Sequence, residues 1–369
     1  MISKNLSIAF CISFLVILSS CGKADSQDTA NTTTEIKVTT EKAVETSDTP
    51  ETSKEETTMY TTESNEKTET EDTPYVPLSD SIDIVTEDGK ATAGFNSINT
   101  VTSLSFYGTD AEQSIKDAID LIGKMNNTLS VPDAKIDQDH FRIPEKDYSG
   151  DLKDLIDTAN VYSQATDDNF STKIKDNDGA DSLNIRDIYK GFTANKLAEA
   201  LSDKTKEELS GALITLGGNI TIIGTKPNGK PWKVGIQDPN GEPGSHIAVV
   251  SVDEKLIDSF NADSLTVASK GTYSLSNDNS RVIDPKTGEI ADSGIVASTV
   301  ISDDGAMADA FGSAAIVMGY DKAVEFWKDS KYNFEMILID KSGEIFITEG
   351  LKNNYKSDGK INIISFSSC

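Results

Sequence analysis

The sequence predicts an α+β fold, in which a single domain of mixed helices and antiparallel strands follows a disordered tether. The first observation is a change in composition near Tyr75, where a polar, Thr-rich stretch gives way to regularly spaced apolar residues. The second is the order of the elements, because helical spacing dominates up to about Leu201 and strand patterns dominate after it. Since strands and helices do not alternate regularly, a doubly wound parallel sheet is not expected.

The charge of the chain argues against nucleic acid as a partner. Over 369 residues, 61 Asp and Glu outnumber 34 Lys and Arg, which gives a formal net charge of −27. A surface of this sign repels phosphate backbones.

The first residues have the features of an export signal. Lys4 supplies a positive charge, residues 6–18 are mainly apolar, and Leu18-Ser19-Ser20-Cys21 ends the segment. This ending resembles a bacterial lipobox, so residues 1–20 are expected to be a lipoprotein signal peptide and Cys21 the lipidation site. An ordinary cleaved signal with a coincidental cysteine is the alternative. The prediction puts the mature protein in an extracytoplasmic position, lipid-anchored to the bacterial membrane.

Residues 21–78 are predicted to be the lipidated cysteine and a disordered tether. Residues 22–75 hold 14 acidic residues, 5 Lys and 16 Thr, with almost no large apolar side chains. Such a stretch cannot bury enough apolar surface to offset its backbone entropy, and as a flexible coil it spans about 40 Å. The folded domain is therefore expected over residues 79–369. Because Cys11 leaves with the signal and Cys369 stands alone, no disulfide is expected inside it.

Helices and strands of the domain follow from residue spacing and turn signals. Thr100–Tyr107 alternates as a strand, and Thr109-Asp110-Ala111-Glu112 has the pattern of a capping box that opens a helix. Further helices are predicted at residues 152–162, 188–201 and 306–318, the last extending toward 327. After the third helix, strands are predicted at residues 212–216, 220–224, 232–236, 247–252, 265–269, 297–301, 336–340 and 344–348.

Signatures of several common enzyme classes are absent from the sequence. The two histidines, His140 and His246, have no second His, Cys or carboxylate pair at ligand spacing, which argues against a zinc site. The sequence contains no G-x-S-x-G elbow, no P-loop and no G-x-G-x-x-G after a strand. The usual hydrolase, kinase and dehydrogenase interpretations therefore lose their support.

Three short segments are candidates for ligand binding. The glycines of Leu216-Gly217-Gly218-Asn219 allow a ligand to approach the backbone between two strands, with a simple turn as the alternative. The turn Asp284-Pro285-Lys286-Thr287-Gly288 has a carboxylate at its mouth and, taken alone, favours a structural role. Asp309 and Ser313 lie four residues apart on one helical face, where a carboxylate and a hydroxyl suit Mg²⁺ beside a phosphate. Capping or a buried hydrogen bond is the alternative for that pair.

Five segments together resemble the ApbE-type FAD:protein FMN transferases. They are residues 184–192 (NIRDIYKGF), 214–220 (ITLGGNI), 231–239 (PWKVGIQDP), 282–288 (VIDPKTG) and 308–310 (ADA). They occur in the order seen in that family, and the similarity covers roughly residues 95 to 350. The resemblance implies one ApbE-like, T-fold-related domain.

The resemblance also implies an activity and a set of site residues. Members of the family use Mg²⁺ to move the FMN part of FAD onto a Thr or Ser hydroxyl of an acceptor protein, with release of AMP. The implied partners are FAD and an extracytoplasmic acceptor flavoprotein. Catalytic roles are implied for Asp309 and Lys190, and metal binding for Asp309, Ser313 and a backbone carbonyl at Asp187. Contact with FAD is implied for Asn184, Lys190, Gly217, Gly218, Ile283, Asp284, Ile98, Asn169, Phe170 and Ser171, with Thr100 close to Ile98.

The sequence departs from the family pattern at several of these positions. Asn184 replaces an Asp, Arg186-Asp187 replaces two small residues, and Ser269-Lys270-Gly271 replaces Thr-Ser-Gly. Arg281 stands where the family has a His that is the suspected general base, and an arginine with a pKa above about 12 cannot deprotonate a hydroxyl. Two hypotheses follow: an active transferase, or a catalytically weakened or inactive flavin-binding lipoprotein that serves as a binding module.

The acidity of the chain also bears on the cofactor. The pyrophosphate of FAD is anionic, and the implied site contains Asp187 and Asp309. A divalent cation is therefore expected wherever FAD docks beside these carboxylates.

Overall fold

The computed structural model describes residues 77–97, 100–129, 140–141, 150–175, 181–242, 244–272 and 282–366. All of them lie in one structural unit, Asp72–Cys369. Within these ranges, no helix is both long and apolar enough to cross a bilayer. The predicted signal peptide, Cys21 and nearly all of the predicted tether lie outside the described residues.

The described residues include sixteen strands. In chain order they are β1 (Ile84–Glu87), β2 (Lys90–Ser97), β3 (Thr100–Tyr107), β4 (His140–Phe141), β5 (Lys173–Lys175), β6 (Asp181–Asn184), β7 (Gly211–Leu216), β8 (Asn219–Gly224), β9 (Trp232–Gln237), β10 (His246–Val252), β11 (Ser264–Gly271), β12 (Ile295–Ser302), β13 (Glu335–Asp340), β14 (Ile345–Thr348), β15 (Tyr355–Ser357) and β16 (Ile361–Ile364).

These strands form one large sheet and two small ones. Among the described residues, ten strands make the large sheet in the order β1-β2-β3-β7-β8-β11-β12-β13-β14-β16. Its described pairs are antiparallel, except that β14 and β16 run parallel. The small sheets have the orders β15-β10-β9 and β4-β6-β5. The prediction of a mixed fold with antiparallel strands is confirmed.

One face of the large sheet is covered by α1 (Ala111–Leu129), α2 (Gly150–Ala165), α3 (Arg186–Leu201) and α5 (Gly305–Asp329). The short helix α4 (Glu254–Ser259) packs instead with β9 and β10 of a small sheet. In α2 the buried positions include Leu152, Leu155, Ile156, Ala159 and Tyr162, the face that the spacing predicts. The third predicted helix is confirmed as well, although α3 begins two residues before Ile188.

Strand β11 shows how the layers are arranged. Leu265 and Val267 pack into an apolar cluster with the small sheet that contains β9 and β10. Ala268, whose side chain points the other way, belongs to the cluster that includes α5. Full burial of a side chain such as Leu265 contributes about 2 kcal/mol. The large sheet is therefore held between a small sheet and a layer of helices.

A hairpin of β1 and β2 opens the domain and was absent from the predicted strands. Asp88 and Gly89 connect the two strands with positive φ angles of 44° and 72°. An Asp-Gly pair with this backbone is the favoured two-residue hairpin turn, because its twist matches that of the strands. The alternation around it is carried by Ala, Thr and Gly, which give a weak apolar signal.

Helix α1 begins without the predicted capping box. The Thr109 hydroxyl donates to the carbonyl of Glu207 at 3.1 Å instead of serving the helix. Ser114 N donates to the Asp110 carbonyl at 2.9 Å, and the Ser114 hydroxyl lies 3.4 Å from the Asp110 carboxylate. The prediction was wrong because the Thr109 backbone N–H, which a capping box pairs with the Glu112 side chain, donates to the Glu207 carbonyl at 3.0 Å.

Helix α5 consists of two segments joined at Gly319. That residue has φ 75° and ψ 176°, a conformation that interrupts the helix. The Ser293 hydroxyl donates to the carbonyl of Ile316, which lies in the turn before the break. A carbonyl of the first segment's last turn is thereby satisfied.

Candidate functional site

The start of α5 is fixed by contacts to two other helices. Asp304 caps the helix by accepting a hydrogen bond from Met307 N at 2.9 Å. Its carboxylate also accepts from Asn195 Nδ2 of α3 at 2.8 Å and from the Tyr162 hydroxyl of α2. Burial and the Asp304 charge raise the pKa of Tyr162, so this phenol stays a hydrogen-bond donor at neutral pH. The first turns of α5, which carry the candidate site residues, are therefore held in place.

The glycine turn, Gly217-Gly218, connects β7 to β8 and contacts neighbouring elements. Gly217 has a φ of 61°, in the left-handed region. A Cβ added there would lie 2.5 Å from Thr100 Oγ1 and 3.3 Å from Lys190 Nζ. Gly218 accepts a hydrogen bond from Ser269 N at 3.0 Å. The turn thus brings the start of β3, the end of β11 and Lys190 together, as the implied FAD contacts require.

Lys190 and Gly191 connect this turn to Asp309. While the Lys190 ammonium lies at Gly217, the backbone N–H of Gly191 donates to Asp309 Oδ2 at 2.7 Å. A Cβ on Gly191 would lie only 2.0 Å from the Gly305 carbonyl oxygen. Helices α3 and α5 can therefore approach closely enough for this hydrogen bond only because Gly191 has no side chain.

Asp309 is completely buried and forms an ion pair with Lys270. The Lys270 ammonium lies 2.5 Å from Asp309 Oδ1, and the exposed fraction of the lysine side chain is 11%. Isolated buried carboxylates are costly, so a partner of opposite charge is required. Lys270 follows Ser269, which contacts the glycine turn, and this places the ion pair next to that turn.

Several buried polar atoms near the site have no hydrogen-bond partner among the described residues. They are Ser313 Oγ, Thr102 Oγ1, Asn219 Nδ2 and the Tyr189 hydroxyl. Leu216, the residue before the glycine turn, pairs with Thr102 of β3 on one side and with Asn219 of β8 on the other. Burial raises the pKa of Tyr189, so its phenol remains protonated. Unsatisfied buried polar groups are rare in folded proteins and indicate a ligand or water at such positions.

The groups around Asp309 show whether the predicted Mg²⁺ fits at this position. The carboxylate and the unpartnered Ser313 hydroxyl are oxygen donors of the type that Mg²⁺ prefers. Against this, the Lys270 ammonium already contacts Oδ1, and an ammonium repels a doubly charged ion 4 Å away by about 8 kcal/mol at an effective dielectric constant of 20. Within the described residues, no group of three or more His, Cys, Asp and Glu is arranged to hold a metal ion. As arranged, the position fits an ammonium and does not fit a divalent cation.

Asp187 and Asn184 lie at the start of α3. The Asp187 carboxylate is 3.9 Å from Arg186 Nε, in a partly exposed pair. Asn184 is buried, and its Oδ1 accepts from Arg186 N at 3.1 Å. This Asn184 contact stabilises the first turn of the helix, and contact of either residue with a ligand stays a prediction.

The Asp284–Gly288 turn and the loop at Asn169 are in contact. Lys286 Nζ donates to the Asp167 carbonyl at 2.8 Å and to Asn169 Oδ1 at 3.3 Å. The Asp284 carboxylate accepts from Lys286 N at 2.8 Å, which closes the turn. Ile283 forms an isolated bridge with Ile290. Two segments that are distant in sequence, both implied in FAD binding, are thus brought together.

Other predicted site residues are engaged locally or lie outside the described residues. Phe170 is 2% exposed and belongs to the apolar cluster of the helices. The Ser171 hydroxyl accepts from Lys173 N at 3.0 Å. Ile98 and Arg281 lie outside the described residues, so their roles stay predictions.

Two residues of the site, Gly191 and Lys270, have no role that sequence patterns predicted. Gly191 appeared only inside the motif 184–192, and Lys270 only as a departure from Thr-Ser-Gly. The signal for Lys270 was present, since a lysine in an apolar strand next to a glycine turn requires an acidic partner. Nothing in the sequence identified that partner as Asp309, 39 residues away.

The chain is similar in sequence to a family of known proteins. A model described as the ApbE family matches residues 114–338, more than half of the chain. A protein named FAD:protein FMN transferase from Escherichia coli (strain K12) is 29% identical over 167 residues, 45% of this chain and 44% of that protein. One of the same name from Treponema pallidum (strain Nichols) is 32% identical over 154 residues, 38% of this chain and 39% of that protein. The aligned part of the chain spans less than half the length of these relatives.

Two solved structures share the fold. The flavin transferase ApbE from Vibrio cholerae has a TM-score of 0.53 at 14% identity and aligns over 71% of this chain and 98% of that chain. The ApbE protein from Thermotoga maritima has a TM-score of 0.53 at 18% identity, with the same two coverages. At such identities the likeness concerns the fold alone. The family match, however, includes the glycine turn, Lys190, Lys270 and Asp309. The chain therefore belongs to the ApbE family.

Proposed function

We propose that the protein transfers the FMN part of FAD to a Thr or Ser hydroxyl of an acceptor protein and releases AMP. The names of the relatives support FAD as the donor and a protein as the acceptor. In the step, the acceptor oxygen forms a bond to the phosphorus on the FMN side of the pyrophosphate. The bond from that phosphorus to the bridging oxygen breaks, and this oxygen leaves with AMP. The hydroxyl proton passes to a base or to water.

One observation carries the proposal: consecutive residues of α3 connect the glycine turn to a buried carboxylate. Lys190 lies at Gly217, and Gly191 donates to Asp309. Glycine turns admit phosphate groups close to the backbone, and an adjacent lysine supplies a point charge for them. Transfer of a phosphoryl group depends mainly on positioning and on neutralising charge, and these residues supply both.

Removal of the proton from the acceptor hydroxyl needs a group other than Arg281. Arginine keeps its proton at any physiological pH, so it does not serve as a general base. In this proposal Lys190 binds and orients the pyrophosphate, and the position of Asp309 is fixed by Gly191 and Lys270. Mg²⁺ at Asp309 and Ser313, which the resemblance implies, would require displacement of the Lys270 ammonium.

We also propose where in the cell the enzyme acts. A lipid on Cys21 and a tether over residues 21–78 would keep the enzyme on the membrane outside the cytoplasm, within reach of extracytoplasmic acceptor flavoproteins. The sequence features of residues 1–21 and the polar, Thr-rich composition support this location. The net charge of −27 supports the exclusion of nucleic acid as a partner.

The experiment is an incubation of the purified protein with FAD and candidate extracytoplasmic flavoproteins. We expect AMP by chromatography and an acceptor mass increased by FMN minus one water. Lys190→Ala is expected to lower the rate of AMP release by about 100-fold, since a charged contact to the pyrophosphate is lost. Lys196→Ala is the matched control, because Lys196 is on the same helix and pairs with Asp151 at 3.5 Å. Neither AMP nor adduct with any acceptor would refute the proposal.

The second candidate function is a flavin-binding module with little or no catalysis. Arg281 in place of the family His favours it. It predicts FAD binding without AMP release, and Arg281→His would then raise AMP release from the baseline. Turnover by the unmodified chain would exclude this function.

A further inference from the structure

The positive charge beside Asp309 is supplied by a side chain of this protein, the Lys270 ammonium. Lys270 Nζ lies 2.5 Å from Asp309 Oδ1, while Gly191 N–H occupies Oδ2 at 2.7 Å. The carboxylate is fully buried, and the lysine side chain is 11% exposed. A carboxylate in such a position requires a compensating charge. Oδ2 is therefore hydrogen-bonded by the backbone, and the charge of the carboxylate is neutralised by the Lys270 ion pair at Oδ1.

The stem of Lys270 is held along helix α5. A Cβ added to Gly312 would lie 3.1 Å from Lys270 Cγ and 3.4 Å from Ser298 Oγ. The Ser298 hydroxyl donates to the Gly312 carbonyl at 2.6 Å, so this turn of α5 is fixed against β12. Because Gly312 lacks a side chain, the lysine can pass between strand and helix to reach Asp309.

The ammonium also has donors for a ligand. A lysine ammonium carries three N–H donors, and the contact of Lys270 with Asp309 is an ion pair to one oxygen, Oδ1. Lys270 follows Ser269, whose N–H donates to Gly218 in the glycine turn. An anionic group seated on that turn is therefore close to the ammonium. Ser313 Oγ, buried and without a hydrogen-bond partner among the described residues, is one residue beyond Gly312.

We propose that Lys270 replaces the divalent cation in this chain. Its ammonium neutralises Asp309 and donates to the pyrophosphate of FAD, so that FAD binds without a divalent metal ion. The identity of the ligand rests on the proposed function. The occupation of the cation position by Lys270 rests on the contacts above and is testable without any flavin.

The first test uses the unmodified protein. Titration with Mn²⁺ alone, followed by electron paramagnetic resonance, is expected to show no bound ion that Mg²⁺ displaces. The affinity for FAD, measured by flavin fluorescence, is expected to differ by less than about twofold between excess EDTA and excess MgCl₂. One bound Mn²⁺ per chain that Mg²⁺ displaces, with a loss of FAD affinity of about tenfold or more in EDTA, would overturn the inference.

The second test uses Lys270→Ser, which removes the ammonium and keeps Asp309. This variant is expected to gain a Mn²⁺ site and to lose about tenfold or more of its FAD affinity in EDTA, with recovery in MgCl₂. Lys204→Ser is the matched control, because Lys204 also forms an ion pair, with Asp110 at 2.5 Å. That pair lies beyond Tyr107, the last residue of β3, whereas Thr100 at the start of β3 contacts the glycine turn. The control is expected to keep the wild-type response to both ions. Lys270→Ser with no Mn²⁺ site and unchanged FAD affinity in EDTA would contradict the inference.

The outcomes separate this inference from the proposed function. If no form binds FAD, the proposed function fails, while the Mn²⁺ titrations still decide the role of Lys270. If Lys270→Ser does not fold in EDTA, its melting temperature with and without Mg²⁺ becomes the readout. Stabilisation of the variant by Mg²⁺, with no effect on wild type, supports the inference, and equal stabilisation of both opposes it. The wild-type measurements need no variant.

Discussion

Gly217 is a residue where backbone conformation and ligand access coincide. Its φ of 61° and the 2.5 Å approach of Thr100 Oγ1 to an added Cβ exclude other residues. We expect Gly217→Ala to lower FAD affinity by at least about tenfold, because the turn must move away from Lys190. Fluorescence titration with FAD measures this.

Gly229→Ala is the control for the Gly217 variant. Gly229 has a similar φ of 66°, but no atom lies within 4 Å of an added Cβ. Both variants therefore carry the backbone cost of about 1 to 2 kcal/mol, and only Gly217→Ala carries the clash. Equal effects of the two variants on FAD affinity would contradict the assigned role of the turn.

Asp309 has both a structural and a functional role. Asp309→Asn leaves the Lys270 ammonium buried without its counter-charge, and loss of one partner of a buried pair costs about 3 to 5 kcal/mol of unfolding free energy. We expect AMP release to fall below detection as well. Denaturant unfolding and chromatography give the two measurements.

Asp303→Asn is the matched control for Asp309→Asn. Asp303 is exposed and lies just before the same helix. Because both variants replace an Asp by an Asn, the change in net charge is identical. We expect a change in unfolding free energy within about 0.5 kcal/mol. A comparable loss in both variants would mean that net charge, and not the buried pair, determines stability.

At the scale of single residues, chemistry was predictable and partners were not. The resemblance named Asp309, Lys190 and the glycine pair, and the structure places them in one region. The pairing of Asp309 with Lys270 depends on how β11 and α5 cross. Residue spacing describes one element at a time, so it contains no information about such crossings.

The crossing of α3 and α5 depends on two glycines. A Cβ on Gly191 would lie 2.0 Å from the Gly305 carbonyl oxygen, and a backbone atom cannot move aside as a side chain does. We expect Gly191→Ala to lower the unfolding free energy by about 3 kcal/mol, at the upper end of typical overpacking costs. Thermal and denaturant unfolding measure the loss.

Gly123→Ala in α1 is the control for this crossing. An added Cβ there would approach only side-chain atoms of Leu78, at 3.1 Å. Alanine also improves helix propensity by about 1 kcal/mol over glycine, which offsets the crowding. We expect a change of less than about 1 kcal/mol, and a larger loss than in Gly191→Ala would contradict this account of the crossing.

The carboxyl group of Glu335 makes the start of β13 sensitive to pH. Burial raises the pKa of Glu335 above its unfolded value, against smaller opposing effects of hydrogen bonds from Thr348 and Gly350. The folded state therefore binds this proton more tightly. The resulting stability is full below the unfolded pKa of about 4.5 and is lost as the pH rises through the folded pKa.

Glu335→Gln tests this dependence. We expect the unfolding free energy of wild type to fall relative to this variant as the pH rises from about 4.5, because the glutamine does not ionise. Glu325→Gln, at an exposed position of α5, is the control. Parallel stability curves for wild type and Glu335→Gln would refute the effect.

At the scale of elements, strong patterns were predicted and weak ones were not. The buried face of α2 and the strands on either side of the glycine turn follow from apolar spacing. The β1–β2 hairpin and the short strand β16 were absent from the prediction. In the hairpin, the buried positions are Ala91 and Ala93, and such small side chains give only a weak apolar signal.

The charge of the whole molecule bears on how FAD arrives. The chain has a formal net charge of −27, and FAD is an anion. We expect the association rate of FAD to rise when ionic strength increases from about 0.02 to 0.3 M, because salt screens the long-range repulsion. Stopped-flow fluorescence quenching gives the rate.

Riboflavin provides the matched control ligand for this measurement, because it has no phosphate. Its association rate is expected to change little with salt. A fall in the FAD rate as salt is added would mean that Lys190 and Lys270 dominate the field at the entrance, against the net charge of the chain.

At the scale of the whole molecule, the fold class was predicted and the layering was not. Composition and element order predicted helices and antiparallel strands in one domain. The position of the β9-β10-β15 sheet against the face opposite the helices depends on which face of β11 each cluster covers. Alternation shows that both faces are used, but it does not say what covers them.

The break at Gly319 gives the last helix two independent lengths. Each residue added to a continuous helix rotates everything beyond it by about 100°. An insertion after Gly319 falls in the second segment and leaves the orientation of Asp309 toward Lys270 of β11 intact, whereas one between Asp304 and Asp309 turns Asp309 away. The segment after Gly319 can therefore change in length during evolution, while the segment before Gly319 must keep its length up to Asp309.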